Sequence, residues 1–297
     1  MIKDVFLKLR ERLTVTAALE LMEATAGRKV SRLGFSENHI PWLDELISQL
    51  GAYWVPAYAP FQHTPDLGKG EWASLADQNS QLQSTKKSWQ IFISNSLERA
   101  CSARDMESRN DERTFGASLG IPKCCIDFYL RERERARSSQ NDFTLLSASE
   151  TGISMGLPIW TNTLTQYFGT TLLSFAPCSY QCEAAIRYAR ERYAFALEID
   201  VEMAKSLVTQ QKTGGFYTEF EGVHLFRLLR YDGEKFEIES DSLKSTIPGG
   251  SLNVKLAQTR YIHAGGTSGL IELEGQSGHL ESLAMEQSIF FDFSQES

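Results

Sequence analysis

Four of the five cysteines occur as two short pairs, and their thiols could carry specific chemistry. Cys124 and Cys125 are adjacent, whereas Cys178 and Cys182 are separated by three residues. Cysteine thiolates bind zinc, iron and iron–sulfur clusters, and they also act as redox groups and nucleophiles. We therefore predict one metal-binding or redox-active site formed by both pairs. Cys101 stands alone and is predicted to be a small buried hydrophobe.

Each pair follows a proline. Pro122 lies two residues before Cys124, Pro177 directly precedes Cys178, and a helical pattern follows both. Proline is favoured in the first helical turn, where the positive end of the helix dipole stabilises a thiolate. We therefore expect both pairs at helix N-termini.

Helical spacing predicts how the sulfurs within each pair are placed. Cys178 and Cys182, at positions i and i+4, should share one helical face. Adjacent helical residues point about 100° apart. Cys124 and Cys125 should therefore both bind the metal only if at least one of them precedes the regular helix. The sequence is thus as compatible with a three-thiolate site as with a four-thiolate site.

The spacing of the cysteines bears on the identity of the metal. A structural zinc site typically has CxxC segments or a mixture of cysteine and histidine, which the sequence lacks. Iron–sulfur clusters accept more varied spacings, and an iron with three cysteine ligands stays open to a substrate. The leading prediction is an iron–sulfur enzyme of small-molecule biosynthesis, a lyase or sulfur transferase with a 4Fe–4S cluster. The alternatives are a zinc-binding structural or regulatory protein and a thiol redox protein.

Polar residues beside the cysteines are candidates for the catalytic groups. We assign this role to four residues, Lys123, Asn162, Ser179 and Tyr180. Lys123 could bind an anionic small-molecule substrate as a point charge. The alternatives are structural, because Ser179 could cap a helix and Lys123 could face water.

Four segments together resemble an uncharacterised prokaryotic family catalogued as domain of unknown function 483. The segments are WQIFISN (89–95), LGIPKCCIDFY (119–129), Asn162-x-Leu164 and LSFAPCSYQCEAA (173–185). The resemblance covers about residues 88–200 and implies that the four paired cysteines function as a set. The chain has Ile121 where the family has Tyr, and Phe175-Ala176 where the family has a nearby His.

The elements that position these residues are predicted to include both helices and strands. Apolar residues at helical spacing predict helices at the N-terminus, after Pro41 and from the double cysteine, and a further long helix headed by Cys178. Asn95, with Glu98 three residues later, predicts a helix start that runs towards Arg113. Alternating residues predict strands at 30–35, 53–58 and 89–93. The fold class is therefore α+β, a helix-rich α/β main body with a small, mostly β C-terminal appendage.

We predict three segments: an N-terminal helical and α/β region (1–87), a cysteine-motif domain (88–213) and an acidic β-rich appendage (214–297). Asp232-Gly233 between two apolar runs predicts a hairpin in the third segment. Residues 215–297 hold 13 Asp and Glu against 6 Lys and Arg. The acidic tail could contact a protein partner or a second copy of the chain.

Charge and hydropathy exclude several classes of function. The chain of 297 residues has a formal net charge of −8, which disfavours nucleic acid and anionic membranes as partners. No apolar run approaches the roughly 20 residues that cross a bilayer. The charged N-terminal residues do not resemble a signal peptide, so we expect a cytoplasmic protein.

Overall fold

A computed structural model describes residues 2–66, 70–75, 88–138, 142–218, 221–264, 271–275, 278, 280–283 and 288–296. The helices are α1 (Ile2–Arg10), α2 (Val15–Thr25), α3 (Ile40–Gln49), α4 (Leu97–Ser108), α5 (Glu112–Ser118), α6 (Lys123–Ser138), α7 (Thr144–Thr151), α8 (Glu183–Ile199), α9 (Val201–Gln211) and α10 (Ser251–Gln258). The strands are β1 (Ser31–Ser36), β2 (Tyr53–Pro56), β3 (Phe61–Asp66), β4 (Gly70–Leu75), β5 (Ser88–Ser94), β6 (Thr213–Thr218), β7 (Gly222–Phe226), β8 (Leu228–Tyr231), β9 (Lys235–Ile238), β10 (Lys244–Ser245), β11 (Thr259–Ala264), β12 (Ile271–Gly275), β13 (Leu280–Leu283) and β14 (Ser288–Phe293).

The chain forms two compact units. The first unit comprises Met1–Pro65, Glu71–Arg133 and Ala194–Val201. The second comprises Asp66–Gly70, Glu134–Tyr193 and Glu202–Ser297. The division into three segments (1–87, 88–213 and 214–297) stays a prediction.

The first unit is built around β5, which pairs antiparallel with β1, β2 and β3. Three consecutive residues of β5, Ile91, Phe92 and Ile93, are buried. Because successive side chains of a strand point to opposite faces, both faces of β5 are covered. Helices α2 and α4 both contact this strand, and Phe92 packs with Ala100 and Ala103 of α4.

The helix predicted from Asn95 towards Arg113 is two helices, and its cap is one residue later than predicted. Ser96, not Asn95, caps α4, because the Ser96 Oγ accepts a hydrogen bond from Arg99 N. Between α4 and α5, Asn110 has a φ of 57°, a left-handed conformation that ends a right-handed helix. Asp111 then caps α5 by accepting from Thr114 N.

The second unit contains a four-stranded sheet, in the order β10-β7-β6-β14, with apolar residues on both faces. One face contributes Phe216, Phe226 and Phe290 to a core shared with α10 and the other sheet of this unit. The opposite face contributes Tyr217 and Phe291 to a core that also holds Ala148, Leu157, Leu164 and Tyr180. Strand β14 therefore shares a core with residues that precede it by more than a hundred positions in the sequence.

The second sheet of this unit has five strands in the order β13-β12-β11-β9-β8. Strands β8 and β9 form the hairpin predicted at Asp232-Gly233. Gly233 has a φ of 98°, and Asp232 Oδ1 accepts hydrogen bonds from Glu234 N and Lys235 N. The glycine pair Gly265-Gly266, which also predicts a turn in this part of the sequence, lies outside the described residues.

The fold belongs to the α+β class with a mostly β C-terminal region, which confirms the fold-class prediction. Within the residues that the structure describes, none of the helices has the length and apolar composition needed to cross a membrane.

Candidate metal centre

The two cysteine pairs come together in one cluster. The sulfur atoms of Cys124, Cys125, Cys178 and Cys182 all lie within 4.8 Å of one another, and those of Cys124 and Cys125 are 4.0 Å apart. Cys125 is buried, Cys178 and Cys182 are half-buried and Cys124 is exposed. The cluster is compatible with metal binding, whereas Cys101 lies in α4 outside this group.

The first pair lies at a helix N-terminus, as predicted. Helix α6 begins at Lys123, and the Pro122 carbonyl accepts hydrogen bonds from Cys125 N and Ile126 N. Cys124 and Cys125 are both helical, so neither precedes the regular helix. Their sulfurs nevertheless lie close together, and ligation by both of them stays a prediction. Rotation about each χ1 moves a sulfur away from the direction set by its Cα–Cβ bond, so the two sulfurs can converge.

The second pair does not share a helical face. Helix α8 begins at Glu183, so Cys178 lies in an irregular turn and Cys182 directly precedes the helix. The Cys182 carbonyl accepts the first helical bond from Ile186 N, and Cys182 N donates to Ser179 O. Of this pair, only Cys182 is adjacent to the helix N-terminus.

Tyr180 explains why the helix starts late. Its side chain is fully buried, with the ring packed edge-on against Phe291 and Phe293. Its hydroxyl is 3.3 Å from Thr163 Oγ1, and its carbonyl accepts a 2.6 Å hydrogen bond from Thr161 Oγ1. Burial raises the pKa of Tyr180, so the phenol is neutral. These contacts fix the position of Tyr180, which lies midway between Cys178 and Cys182 in the sequence.

Ser179 lies in the same turn, and Thr151, at the end of α7, forms hydrogen bonds with it. Tyr180 N donates to Thr151 Oγ1 over 2.8 Å, and the hydroxyls of Thr151 and Ser179 are 3.3 Å apart. Ser179 Oγ also accepts from Gln181 N. Thr151 is not recognisable from the sequence, because a threonine at the end of a helix carries no distinctive pattern.

Lys123 is next to the cluster in sequence but points to solvent. Its side chain is 83% exposed and its Nζ lies 2.6 Å from Asp127 Oδ2. Arg113 forms a second ion pair with the same carboxylate. Hydrogen bonds from Lys123 and Arg113 lower the pKa of Asp127. Lys123 therefore belongs to a surface ion network.

Asn162 is buried and donates hydrogen bonds to residues distant from it in the sequence. Its Nδ2 donates to Gln211 O at 2.8 Å and to Thr213 Oγ1 at 2.9 Å. These contacts join Asn162 to the end of α9 and the start of β6. The catalytic roles of Lys123, Asn162, Ser179 and Tyr180 stay predictions.

No family model, curated protein or solved structure matches this chain. The local geometry therefore carries the functional argument.

Proposed function

We propose that this protein binds one zinc ion through the thiolates of Cys124, Cys125, Cys178 and Cys182. The observation that carries the proposal is that all four sulfurs lie within 4.8 Å of one another. At a Zn–S distance of about 2.3 Å, the sulfurs of a tetrahedral site are roughly 3.8 Å apart. A small inward movement of the side chains is enough to reach that geometry.

The sulfur spacing favours a single ion over a large cluster. In a 4Fe–4S cluster each thiolate binds a different iron, which separates the thiolate sulfurs by roughly 6 Å. The four sulfurs here are closer than that. One ion therefore fits the observed sulfur separations better than a 4Fe–4S cluster does.

A zinc ion at this position would have a structural role. Its bonds to the cysteines would hold the first turn of α6 and the turn at 178–182, two segments distant in sequence, and metal binding would thus contribute to folding stability. This corresponds to the zinc-binding structural or regulatory alternative of the sequence analysis. The resemblance to the family of unknown function stays a prediction, on which this proposal does not depend.

The iron–sulfur enzyme is the second candidate, and the exposure of Cys124 favours it. An exposed ligand is the one that a substrate or a solvent molecule replaces most easily. Replacement of Cys124 would leave three thiolates, the ligand set of a cluster with one open iron. A biosynthetic lyase or sulfur transferase acting on a small molecule is the corresponding activity.

Metal analysis of protein purified without oxygen separates the two candidates. We expect colourless protein with one zinc per chain, and cobalt substitution should give the absorption bands of tetrahedral thiolate coordination. Brown protein containing iron and acid-labile sulfide would overturn the zinc proposal and support the second candidate.

Single substitutions identify the ligands. We expect Cys125→Ser, Cys178→Ser and Cys182→Ser each to lower the zinc content and the melting temperature, because a serine hydroxyl is a poor zinc ligand. Cys124→Ser should weaken zinc binding in a chelator competition. Cys101→Ser is the matched control and should retain full zinc content. Unchanged zinc in both Cys178→Ser and Cys182→Ser would contradict the proposed site.

A further inference from the structure

A cavity of about 410 Å³ lies in the second unit, beside β8 and the end of β14. Its wall includes Met155, Leu229, Tyr231, Phe236 and Asp292. Sites for small organic molecules are typically about 300–1,000 Å³ and combine apolar walls with a few polar groups. This cavity has the size and composition of such a site.

Asp292 is the acidic group of the cavity wall and is only 5% exposed. Its Oδ2 accepts hydrogen bonds from Gly156 N and Ser294 Oγ, each at 3.1 Å. Its Oδ1 is buried and accepts no hydrogen bond from any residue that the structure describes. A buried carboxylate oxygen without a donor is costly. Burial accordingly raises the pKa of Asp292, against the opposing effect of the Gly156 and Ser294 bonds.

A donor in the cavity can relieve this cost. The χ2 torsion of aspartate is broad, so a small rotation of the carboxylate can turn either oxygen towards the cavity. A positively charged donor is the best partner, because charge-assisted hydrogen bonds are roughly twice as strong as neutral ones. The carboxylate therefore favours a cation.

The rest of the wall favours an apolar body attached to that cation. The ring of Tyr231 stacks on Phe236 with centroids 4.4 Å apart. Tyr231 and Leu229 are 51% and 55% exposed, and Met155 is 37% exposed. Exposed large apolar side chains grouped around a cavity are typical of ligand sites. An aromatic face also attracts a nearby cation.

Arg230, also on the wall, limits the charge of the ligand. Its guanidinium is exposed and would repel a second positive charge on a ligand. The combination of one acidic and one basic group selects a monoamine over a polyamine.

We propose that this cavity binds a small primary amine whose ammonium donates to Asp292 and whose apolar or aromatic body lies against Tyr231 and Phe236. The site is separate in its residues from the cysteine cluster. Its ligand chemistry is therefore independent of the metal that the cluster binds.

Calorimetric titration of the full-length, metal-loaded protein with 2-phenylethylamine tests the proposal. We expect saturable binding with one site per chain, and weaker binding of the neutral analogue 2-phenylethanol and of the polyamine spermidine. Absence of saturation at millimolar 2-phenylethylamine would overturn the proposal. Equal binding of 2-phenylethanol would show that the carboxylate has no role and would also overturn it.

Substitutions locate the binding site. Asp292→Asn keeps an acceptor for Gly156 N but removes the charge, and it should weaken 2-phenylethylamine binding by roughly tenfold or more. Glu234→Gln is the matched control, an exposed acid on the β8–β9 hairpin that does not line the cavity, and should bind as the unmodified protein does. Met155→Trp should block the cavity and abolish binding without changing the charge. Unchanged affinity in Asp292→Asn or in Met155→Trp would place the amine elsewhere and refute the site.

Discussion

Lys29 shows how strongly a single buried charge depends on its partners. Its Nζ lies 3.0 Å from Glu20 Oε1 and 3.1 Å from Glu23 Oε2. The three residues are 6%, 7% and 4% exposed, respectively. Burial of these charges costs solvation free energy, which their mutual attraction offsets only while the ammonium stays in place.

Removal of the Lys29 ammonium should therefore be strongly destabilising. We expect Lys29→Met to lower the free energy of unfolding by about 3–5 kcal/mol, since it leaves two buried carboxylates without this cation. Urea denaturation monitored by circular dichroism measures the change.

The control is Lys205→Met, which removes an exposed ion pair with Glu202 on α9. Surface pairs contribute about 0–1 kcal/mol, so this variant should unfold almost as the parent protein does. Equal effects of the two substitutions would contradict the role assigned to burial.

Among the elements, the starts of α2, α4 and α5 carry side-chain caps. Thr14 Oγ1 accepts from Ala17 N before α2, and Ser96 and Asp111 do the same for α4 and α5. A cap satisfies a backbone donor that the helix itself leaves without a partner. The beginning of α4 also contributes to packing, because Ala100 and Ala103 in its first two turns belong to the core of the first unit.

The cap of α4 is directly testable. We expect Ser96→Ala to lower the free energy of unfolding by about 1 kcal/mol, because Arg99 N loses its acceptor. Ser96→Asp is the matched variant; it keeps an acceptor and should retain the parental stability. Thermal and urea unfolding would measure both, and an unchanged stability of Ser96→Ala would argue against this cap.

For the whole molecule, stability should depend on pH through two buried groups in the second unit. His224 is fully buried, with its Nε2 placed 3.0 Å from Glu221 O. Burial lowers the pKa of His224 below 6.5, whereas burial raises the pKa of Asp292 above 3.8. The unfolded chain binds the histidine proton more readily than the folded protein does, and the folded protein binds the aspartate proton more readily. The two effects on stability therefore have opposite signs.

The histidine effect dominates near neutral pH. The stability contributed by neutral His224 is present above pH 6.5 and is lost as the pH falls below that value, by at most about 1.4 kcal/mol per pH unit. We expect His224→Gln to show a smaller loss of stability than the parent protein between pH 7 and pH 5. Urea denaturation across this range measures it. His39→Gln, at an exposed position, should keep the parental slope, and identical slopes for His224→Gln and the parent would contradict the prediction.

The sequence by itself determined the features that depend on local chemistry. Asp232-Gly233 formed the predicted hairpin because the turn requires a glycine with positive φ. Pro122 preceded α6 because proline suits the start of a helix. The choice of the four cysteines as one group also came from residue type and spacing alone, and the structure brings their sulfurs together.

Only the tertiary structure decided the features that depend on distant residues. Helix α8 begins after the second cysteine pair because the core formed with Phe291 and Phe293 holds Tyr180 outside the helix. The sulfur spacing that favours one ion, and the cavity beside Asp292, likewise depend on segments far apart in the sequence. The spacing of apolar residues along a helix reflects only contacts within about four residues. It therefore cannot predict which residues are buried by a distant part of the chain.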